Sequence, residues 1–415
     1  MMSSQRHEAN RTGQFHRIVF QMTAIELFES ERNKQAGSSI SASDAILDAA
    51  EKTLIEQSDF HRLFDAKLIR VRHRLGLPIT QPTSLRNIPE EHEAAFRDAY
   101  TAAAREVGQR FLDAGQLADA WAYFRTINET DSVRAAIAKK VAEAPQEPGP
   151  GLDELLNLAL YEGAHVVEGL KLLLRTHGTC NTVTAMGQVM PQMTPDERRQ
   201  AAAMMVRNIY SDLQSNVRRD VERRQPLLKP NASLRELILG REFLFADGGY
   251  HIDVSHLHST VSFARHLDRD CPELQMAIEL SDYGAQLAEQ LRYPGDVPFD
   301  DYYVANRHFL NALAGVEVDE SMQYFIDRLK QEPDAPDQRM IAFVLADLGQ
   351  RVDRTSMALE AAAPFLKQME DPAGFSFTAY CVGAKRFDIL ESSAREDNDV
   401  LRLATAMLLQ NPVSE

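Results

Sequence analysis

The sequence has few of the features that disulfide-rich and membrane-spanning proteins need. Its 415 residues include only three cysteines, Cys180, Cys271 and Cys381, which lie far apart. A small, odd number of cysteines argues against a disulfide framework and predicts a reducing compartment. The first residues lack the pattern of a signal peptide, and no apolar run reaches the length of a membrane span. We therefore expect a cytoplasmic protein that has no membrane partner.

Motifs of the common enzyme classes are also absent. The chain contains no G-x-x-x-x-G-K-[ST] phosphate loop, no G-x-G-x-x-G after a strand, no G-x-S-x-G elbow, no H-E-x-x-H and no paired C-x-x-C. Each of these motifs has a defined task in nucleotide binding, acyl transfer or zinc chemistry. Their absence disfavours the common nucleotide-dependent, α/β-hydrolase and zinc-protease activities.

Positive charge is scarce as well. The formal net charge is −16 at pH 7, with 45 lysines and arginines against 61 aspartates and glutamates. Affinity for nucleic acid comes mainly from basic side chains, so we expect no nucleic-acid partner. One basic cluster lies in RRDVERRQPLLK, interrupted by Asp220 and Glu222, and it predicts a solvated helix end or, alternatively, a local basic patch. Its basic members are Arg218, Arg219, Arg223, Arg224 and Lys229.

Helical periodicity is what the sequence does contain. In 97–125, apolar and small residues recur at steps of three and four, and Gly115 divides the run into two helices. Thr194 with Glu197, and Ser233 with Glu236, have the spacing of capped helix starts. Breaks rich in proline and glycine recur along the chain at intervals that suit one or two helix pairs. The pattern predicts an all-α protein built as a right-handed array of helical hairpins.

The same breaks divide the chain into four predicted segments. They are a partly flexible N-terminal segment at 1–42, helical hairpins at 43–145, a central helical region at 146–292 and C-terminal helical hairpins at 293–415.

One helical hairpin resembles a known repeat. Residues 101–134 resemble a tetratricopeptide repeat, since Gly108, Phe111, Ala120 and Phe124 have the spacing of its close helix contact and aromatic plugs. The residues that depart from the family pattern are Ala104, Ile127 and Ser132, which replace its usual tryptophan, alanine and proline. A weaker echo at 311–334 keeps Gly315, Phe325 and Pro333. The resemblance implies an α-solenoid and a role in binding a peptide or partner protein.

Alternation replaces helical periodicity in one place, FLFADGGYHIDV at 243–254. Apolar residues alternate on both sides of Gly248-Gly249, which predicts a short β-hairpin inserted near 243–254. In that hairpin His251 and Asp253 share one face. Ser255 is expected to cap the next helix, whose inward stripe would be Leu257, Val261 and Ala264.

Histidines concentrate around this predicted hairpin. Metal ligands are predicted for His251, Asp253 and either His256 or His258, because two histidines and a carboxylate form a common first set of ligands for a divalent metal ion. The other ligands would come from Glu162 and His165, three positions apart on a predicted helix. These predict a divalent metal ion as the cofactor, of unknown identity.

Competing interpretations of these polar residues remain open. His256 and His258 at a helix N-terminus suit a carboxylate or phosphate ligand, because free N–H groups there attract anions. Glu162 and His165 also suit a simple surface pair. His177 and Cys180 have the residue types of a nucleophile and its base, and the alternative is a helix end capped by Gly178 beside a buried thiol.

Two functional hypotheses follow from the sequence. The first is a metal-binding helical-repeat protein, including a metal-dependent enzyme that acts on a small polar or anionic substrate. The alternative is a non-enzymatic scaffold resembling tetratricopeptide-repeat proteins, which binds a peptide or partner protein. The residues do not decide between an enzyme and a scaffold.

Overall fold

The regular structure of the chain is helical. The computed structural model describes residues 23–35, 41–86, 88–145, 149–225, 228–367, 369 and 375–411, and these contain no β-strand. The all-α prediction is therefore confirmed. In the same ranges no helix combines the length and the apolar character needed to cross a bilayer.

The helices form two compact units that divide between Ala142 and Glu143. This division lies close to the predicted boundary at 145/146, and the predicted boundaries at 42/43 and 292/293 stay predictions. The first 22 residues of the predicted N-terminal segment lie outside the described residues.

The first unit is a run of antiparallel helices. In α1 to α5 each helix packs against the next. The helices are α1 (Ala24–Gln35), α2 (Ala42–Glu56), α3 (Phe60–Arg74), α4 (Glu90–Asp113), α5 (Leu117–Thr126) and α6 (Asp131–Glu143).

The predicted helical hairpin at 97–125 is confirmed by α4 and α5. Gly115 turns the chain between them with a φ of +75°, a conformation that favours glycine. Gly108 lies against the ring of Phe124, where an added Cβ would come within 3.0 Å of the ring. The two helices can approach closely because Gly108 has no side chain. Membership of the tetratricopeptide-repeat family stays a prediction.

The second unit contains the other helices. They are α7 (Pro150–Leu156), α8 (Val166–Val189), α9 (Pro195–Arg224), α10 (Leu234–Ile238), α11 (Val254–Phe263), α12 (Glu273–Ala285), α13 (Tyr302–Leu313), α14 (Val318–Gln331), α15 (Ala335–Arg351), α16 (Thr355–Leu366), α17 (Phe377–Gly383), α18 (Phe387–Glu396) and α19 (Val400–Gln410). A π-helical turn, Asn157–Tyr161, continues α7.

The long helix α9 organises the first half of this unit. It has 30 residues and so extends for about 45 Å. Side chains four positions apart bury one face completely, and α8, α10, α11 and α12 all pack on the helix. The buried stripe is Met205, Ile209, Leu213, Val217 and Val221. The predicted capping boxes at Thr194–Glu197 and Ser233–Glu236 begin α9 and α10, as expected.

Helices α12 and α13 approach each other closely at Gly284. Gly284, near the end of α12, lies directly under the ring of Tyr303, so that a Cβ at residue 284 would overlap the ring. From α12 to α16, each helix packs on the next helix in the chain.

The predicted β-hairpin at 243–254 is wrong. Glu242–Leu244 and Ala246–Gly248 form two turns of 3-10 helix, and the chain then runs irregularly to α11. An isolated two-stranded hairpin is only marginally stable, and the described residues of this unit contain no strand with which it could pair. The turns instead satisfy local groups, with the Arg241 guanidinium donating to the carbonyls of Glu236 and Leu237 at 2.7 and 2.9 Å.

Candidate functional site

Asp253 is the N-cap of α11. Its Oδ1 accepts the Ser255 N–H at 2.9 Å, the Ser255 hydroxyl at 2.6 Å and the His256 N–H at 3.3 Å. The Ser255 hydroxyl is the main cause of the lowered pKa of this carboxyl group, and the backbone N–H groups add to it. The prediction that Ser255 is the cap is wrong because the acidic side chain two residues earlier takes that role. The predicted inward stripe is confirmed, since Leu257, Val261 and Ala264 are fully buried.

His251 lies between α9 and α12. Its backbone N–H donates to the Tyr283 hydroxyl at 2.9 Å, and its carbonyl accepts from the Asn216 amide at 2.9 Å. The ring Nδ1 lies 3.0 Å from the Tyr283 hydroxyl, and Nε2 lies 3.4 Å from Asp220. The Asp220 carboxylate can only accept, so the Nε2 contact favours a proton on Nε2 and leaves Nδ1 to accept from the Tyr283 hydroxyl. A neutral His251 therefore carries its proton on Nε2, facing Asp220.

His256 and His258 lie on different sides of α11, as their spacing predicts. The His258 ring stacks on Tyr302 with 3.8 Å between ring centroids, and its Nε2 is buried without a hydrogen-bond partner. Burial lowers the pKa of His258, and the nearby Arg265 lowers it further. His258 is therefore part of an aromatic stack.

Glu162 and His165 do not share a helix. The π-helical turn ends at Tyr161 with Glu162 as its C-cap, Gly163 turns the chain with a φ of +74°, and His165 is the N-cap of α8. The Asn157 amide donates to Glu162 at 3.0 Å. The predicted helical spacing is wrong at this position because the helix breaks at Gly163.

The six predicted metal ligands therefore do not form one site, and each lies in its own local surroundings. Among the described residues, no group of three or more His, Cys, Asp or Glu side chains is arranged to hold a metal ion. The metal ion itself stays a prediction.

Gly178 interrupts α8 with a φ of +78° between His177 and Cys180. The His177 Nδ1 lies 2.8 Å from the hydroxyl of its neighbour Thr176. Cys180 is exposed, so the prediction of a buried thiol is wrong.

A cleft of about 460 Å³ opens beside His251. One wall is the last turns of α9, where Asn216, Arg219 and Arg223 recur at helical spacing. The other wall is the segment from Phe243 to His251, and the two walls meet where Arg224 covers the Phe243 ring at 4.4 Å. We call this site the arginine cleft.

The arginine cleft carries an excess of positive charge. Arg219, Arg223 and Arg224 are exposed and have no carboxylate partner within the described ranges, and Asp220 is the acidic residue in the lining. On the same helix, Arg218 forms an ion pair with Glu222 at 3.7 Å and points away from the cleft lining. Tyr250 adds an aromatic ring at the rim that is 58% exposed. The lining suits a small ligand with negative charge.

The sequence indicated only part of this site. His251 was identified from the histidine cluster, and the basic cluster was correctly expected to be exposed at a helix end. Asp220 and Tyr283 were missed, because each lies about 30 residues from His251 and only the packing of α9 and α12 brings them together.

Comparisons with known proteins add no assignment. No protein-family model matches the chain, and no curated protein or solved structure matches it either.

Proposed function

We propose that the protein binds a small polar anion of the phosphate class in the arginine cleft. The observation that carries this proposal is the set of three arginines, Arg219, Arg223 and Arg224, that face the cleft without carboxylate partners in the described chain. Guanidinium groups bind phosphate and carboxylate oxygens through paired N–H donors. In a chain with a net charge of −16, such a cluster is a local exception that favours an anionic ligand.

One electrostatic effect opposes binding. The cleft lies at the C-terminal end of α9, where the helix dipole disfavours an anion by about 0.3–1 kcal/mol. A hydrogen bond between charged groups contributes about 1.5–3 kcal/mol, so two arginine contacts outweigh the dipole. The net interaction of the cleft with an anion is therefore favourable, because the arginine contacts outweigh the helix dipole.

His251 would add a neutral hydrogen-bond donor to the same ligand. Its Nε2 proton faces Asp220 at 3.4 Å, a long contact that a phosphate oxygen can replace. Asp220 would then be displaced or would share the proton. Asn216 and Tyr283 hold the His251 backbone from two helices, so the donor is positioned before the ligand arrives.

Isothermal titration calorimetry with inorganic phosphate tests the proposal. We expect binding to the wild-type chain and a loss of about tenfold in affinity for Arg219→Gln or Arg223→Gln, because each removes one charged donor. Arg218→Gln is the matched control, since it removes the same charge from the same helix outside the cleft.

Phosphate binding that is equal in the Arg218→Gln and Arg223→Gln variants would contradict the proposal, because only long-range charge would then matter. No binding to the wild-type chain at low ionic strength would also contradict it.

A metal ion remains a second proposal for the same residue. His251 has one carboxylate neighbour, Asp220, and a histidine with a carboxylate is a common pair of metal ligands. Elemental analysis of untagged protein purified without chelator decides this proposal. Stoichiometric metal that is lost on His251→Ala and Asp220→Asn would support this pair of ligands, and its absence would leave the anion as the ligand.

The alternative scaffold function rests on a groove in the first unit. About 690 Å³ of space lies along α4 and the end of α5, lined by Phe96, Tyr100 and Ile127, and Leu85 at its edge is 69% exposed. A scaffold resembling tetratricopeptide-repeat proteins would bind an apolar side chain of a peptide here. Selection from a peptide library, repeated with Leu85→Asp, tests it, since peptides selected equally by both chains would not use the groove.

A further inference from the structure

A second cavity lies in the same unit, near the opposite end of α9. It has a volume of about 620 Å³, within the range of small-molecule sites. Arginines and phenylalanines dominate its lining, and neither the histidine cluster nor the arginine cleft contributes to it. We call it the arginine–phenylalanine cavity.

Arg265 is the central cation of this cavity. Its Nε donates to the Asn306 amide oxygen at 2.9 Å, and its guanidinium lies 3.8 Å over the centre of the Phe299 ring. No carboxylate of the described chain lies within ion-pair distance of it, although Asp296 attracts it from farther away. Burial lowers the pKa of Arg265, while the Tyr302 hydroxyl and Asp296 act in the opposite direction. The close contacts of Arg265 are the neutral side chains of Asn306, Tyr302 and Phe299, so a bound anion would add a direct charged partner.

Two more guanidinium groups are fixed by backbone carbonyls. Arg198 donates to the carbonyls of Met190 and Pro191 at 3.0 and 3.1 Å. Arg351 donates to the carbonyls of Arg265 and Leu267 at 2.7 and 2.5 Å. These bonds hold the charges in place without neutralising them, so little ordering is needed when a ligand binds.

His266 lies close to the positive charges of the cavity, and its pKa reflects them. Its ring keeps contact with solvent at the mouth while protein atoms surround it closely. Desolvation, and then the charges of Arg198, Arg351 and Arg265, lower the pKa of His266 to about 4. The ring is therefore neutral near pH 7 and can both donate and accept a hydrogen bond.

Acidic residues limit the positive charge to the inner part of the cavity. Asp196 and Asp268 pair with Arg199, and Asp347 lies 3.5 Å from Arg351. These aspartates lie at the exposed rim. Arg198 and Arg265 have no such partner in the described chain, so the inner cations are the ones available to a ligand.

The apolar part of the lining is aromatic. Phe299 and Phe309 pack edge to face at 5.9 Å, and Phe343 lies half-buried beside them. Aromatic walls favour an apolar body, particularly a flat ring. Phe299 and Phe309 are nearly fully buried, and Phe343 is the half-buried ring that the apolar body of a ligand can cover.

We propose that the arginine–phenylalanine cavity binds an organic monoanion, a carboxylate or its equivalent on an aromatic or bulky apolar body. The anionic group would contact Arg265 and Arg198, and the apolar body would pack on Phe343 and on the exposed edges of Phe299 and Phe309. The site is separate from the arginine cleft and does not depend on the function proposed for that cleft.

Calorimetry with 2-naphthoate, and with the neutral 2-naphthamide as the matched ligand, tests this proposal. We expect naphthoate to bind at least tenfold more tightly than the amide, because the amide cannot form charge-assisted bonds with the arginines. Arg198→Gln should lower naphthoate affinity about tenfold. Phe343→Leu should weaken the binding of both ligands alike. Because Phe343 is only half-buried, this second variant should fold even if Arg198→Gln does not.

Arg354→Gln is the control, since Arg354 pairs with Asp319 outside the cavity lining. Inorganic phosphate should compete poorly with naphthoate, whereas equal competition would mean that the anionic group alone is recognised. Equal affinity for naphthoate and naphthamide, no binding of naphthoate at millimolar concentration, or unchanged binding in both Arg198→Gln and Phe343→Leu would overturn the proposal.

Discussion

The arginine cleft and the arginine–phenylalanine cavity are built at opposite ends of one helix, and they treat the same side chain differently. In the cleft, Arg219 and Arg223 are exposed and make no ion pair within the described chain. In the cavity, Arg198 and Arg351 are bonded to backbone carbonyls, and Arg265 lies against an aromatic ring. The difference is one of preorganisation, because mobile side chains lose rotamer freedom when a ligand binds and fixed ones lose little.

The helix dipole adds to this contrast. Arg198 lies in the first turns of α9, where the helix end attracts an anion, and Arg223 lies in the last turn, where the helix end repels it. Arg198 and the cleft arginines lie about 30–40 Å apart along the helix, so one small ligand cannot occupy both sites. The cavity should therefore be the more selective site and the cleft the more sensitive to solution conditions.

The largest expected effect comes from a substitution that disrupts the arginine cleft and leaves the arginine–phenylalanine cavity unchanged. Tyr283 is fully buried, and Tyr283→Phe leaves the His251 backbone N–H and Nδ1 without their shared partner. We expect the free energy of unfolding to fall by about 1–3 kcal/mol. Phosphate affinity should fall as well, because His251 loses its fixed position, while naphthoate affinity stays unchanged.

Urea unfolding followed by circular dichroism, with calorimetry for the two ligands, measures these effects. Tyr250→Phe is the control, since that ring is 58% exposed and its exchange should change stability by less than about 0.5 kcal/mol. A Tyr283→Phe protein as stable as the control would mean that the hydroxyl does not hold His251.

A smaller effect concerns salt. The cleft arginines are exposed, so their attraction for phosphate should weaken several-fold as sodium chloride rises from low to physiological concentration. Naphthoate should be less affected, because partly buried charges are screened less and its apolar body does not depend on charge. Calorimetric titrations over a series of salt concentrations compare the two slopes. Equal slopes would remove the difference in burial that separates the sites.

The smallest effect is a pH dependence from the cavity. The pKa of His266 is lowered to about 4, below the value of about 6.5 that an unfolded histidine has. Between these values the unfolded chain takes up a proton that the folded chain does not, so stability from this residue falls as pH falls from 6.5 towards 4. In a His266→Gln variant, the free energy of unfolding should fall less over the same range. Parallel pH curves for the two proteins would contradict this account.

Local features of the fold could be predicted from the sequence. The capping boxes at Thr194 and Ser233, the hairpin around Gly115 and the buried stripe of Leu257, Val261 and Ala264 depend on residues only a few positions apart. Neighbouring residues determine hydrogen bonding and periodicity at that range, so the sequence predicts these features correctly.

Errors arose where two local patterns compete. The alternation around Gly248 fits a strand, but the segment has no sheet to join and forms 3-10 turns. Glu162 and His165 have helical spacing, but Gly163 between them breaks the helix. In both cases a glycine could be interpreted in two ways, and only the surrounding helices decide between them.

The candidate sites could be predicted only in part. His251 attracted attention by its neighbours, whereas its partners Asp220 and Tyr283 come from two other helices. Neighbouring residues in the sequence give almost no indication of the cavity, because Arg198, Arg265 and Arg351 come from three distant segments. Long-range packing creates both sites, and a single sequence does not display such packing.

The contact between Gly284 and Tyr303 constrains how these two positions can change during evolution. Any side chain at position 284 would overlap the ring of residue 303, so the two positions constrain each other across the α12–α13 contact. During divergence they should change together, with a larger residue at 284 tolerated only alongside a smaller one at 303.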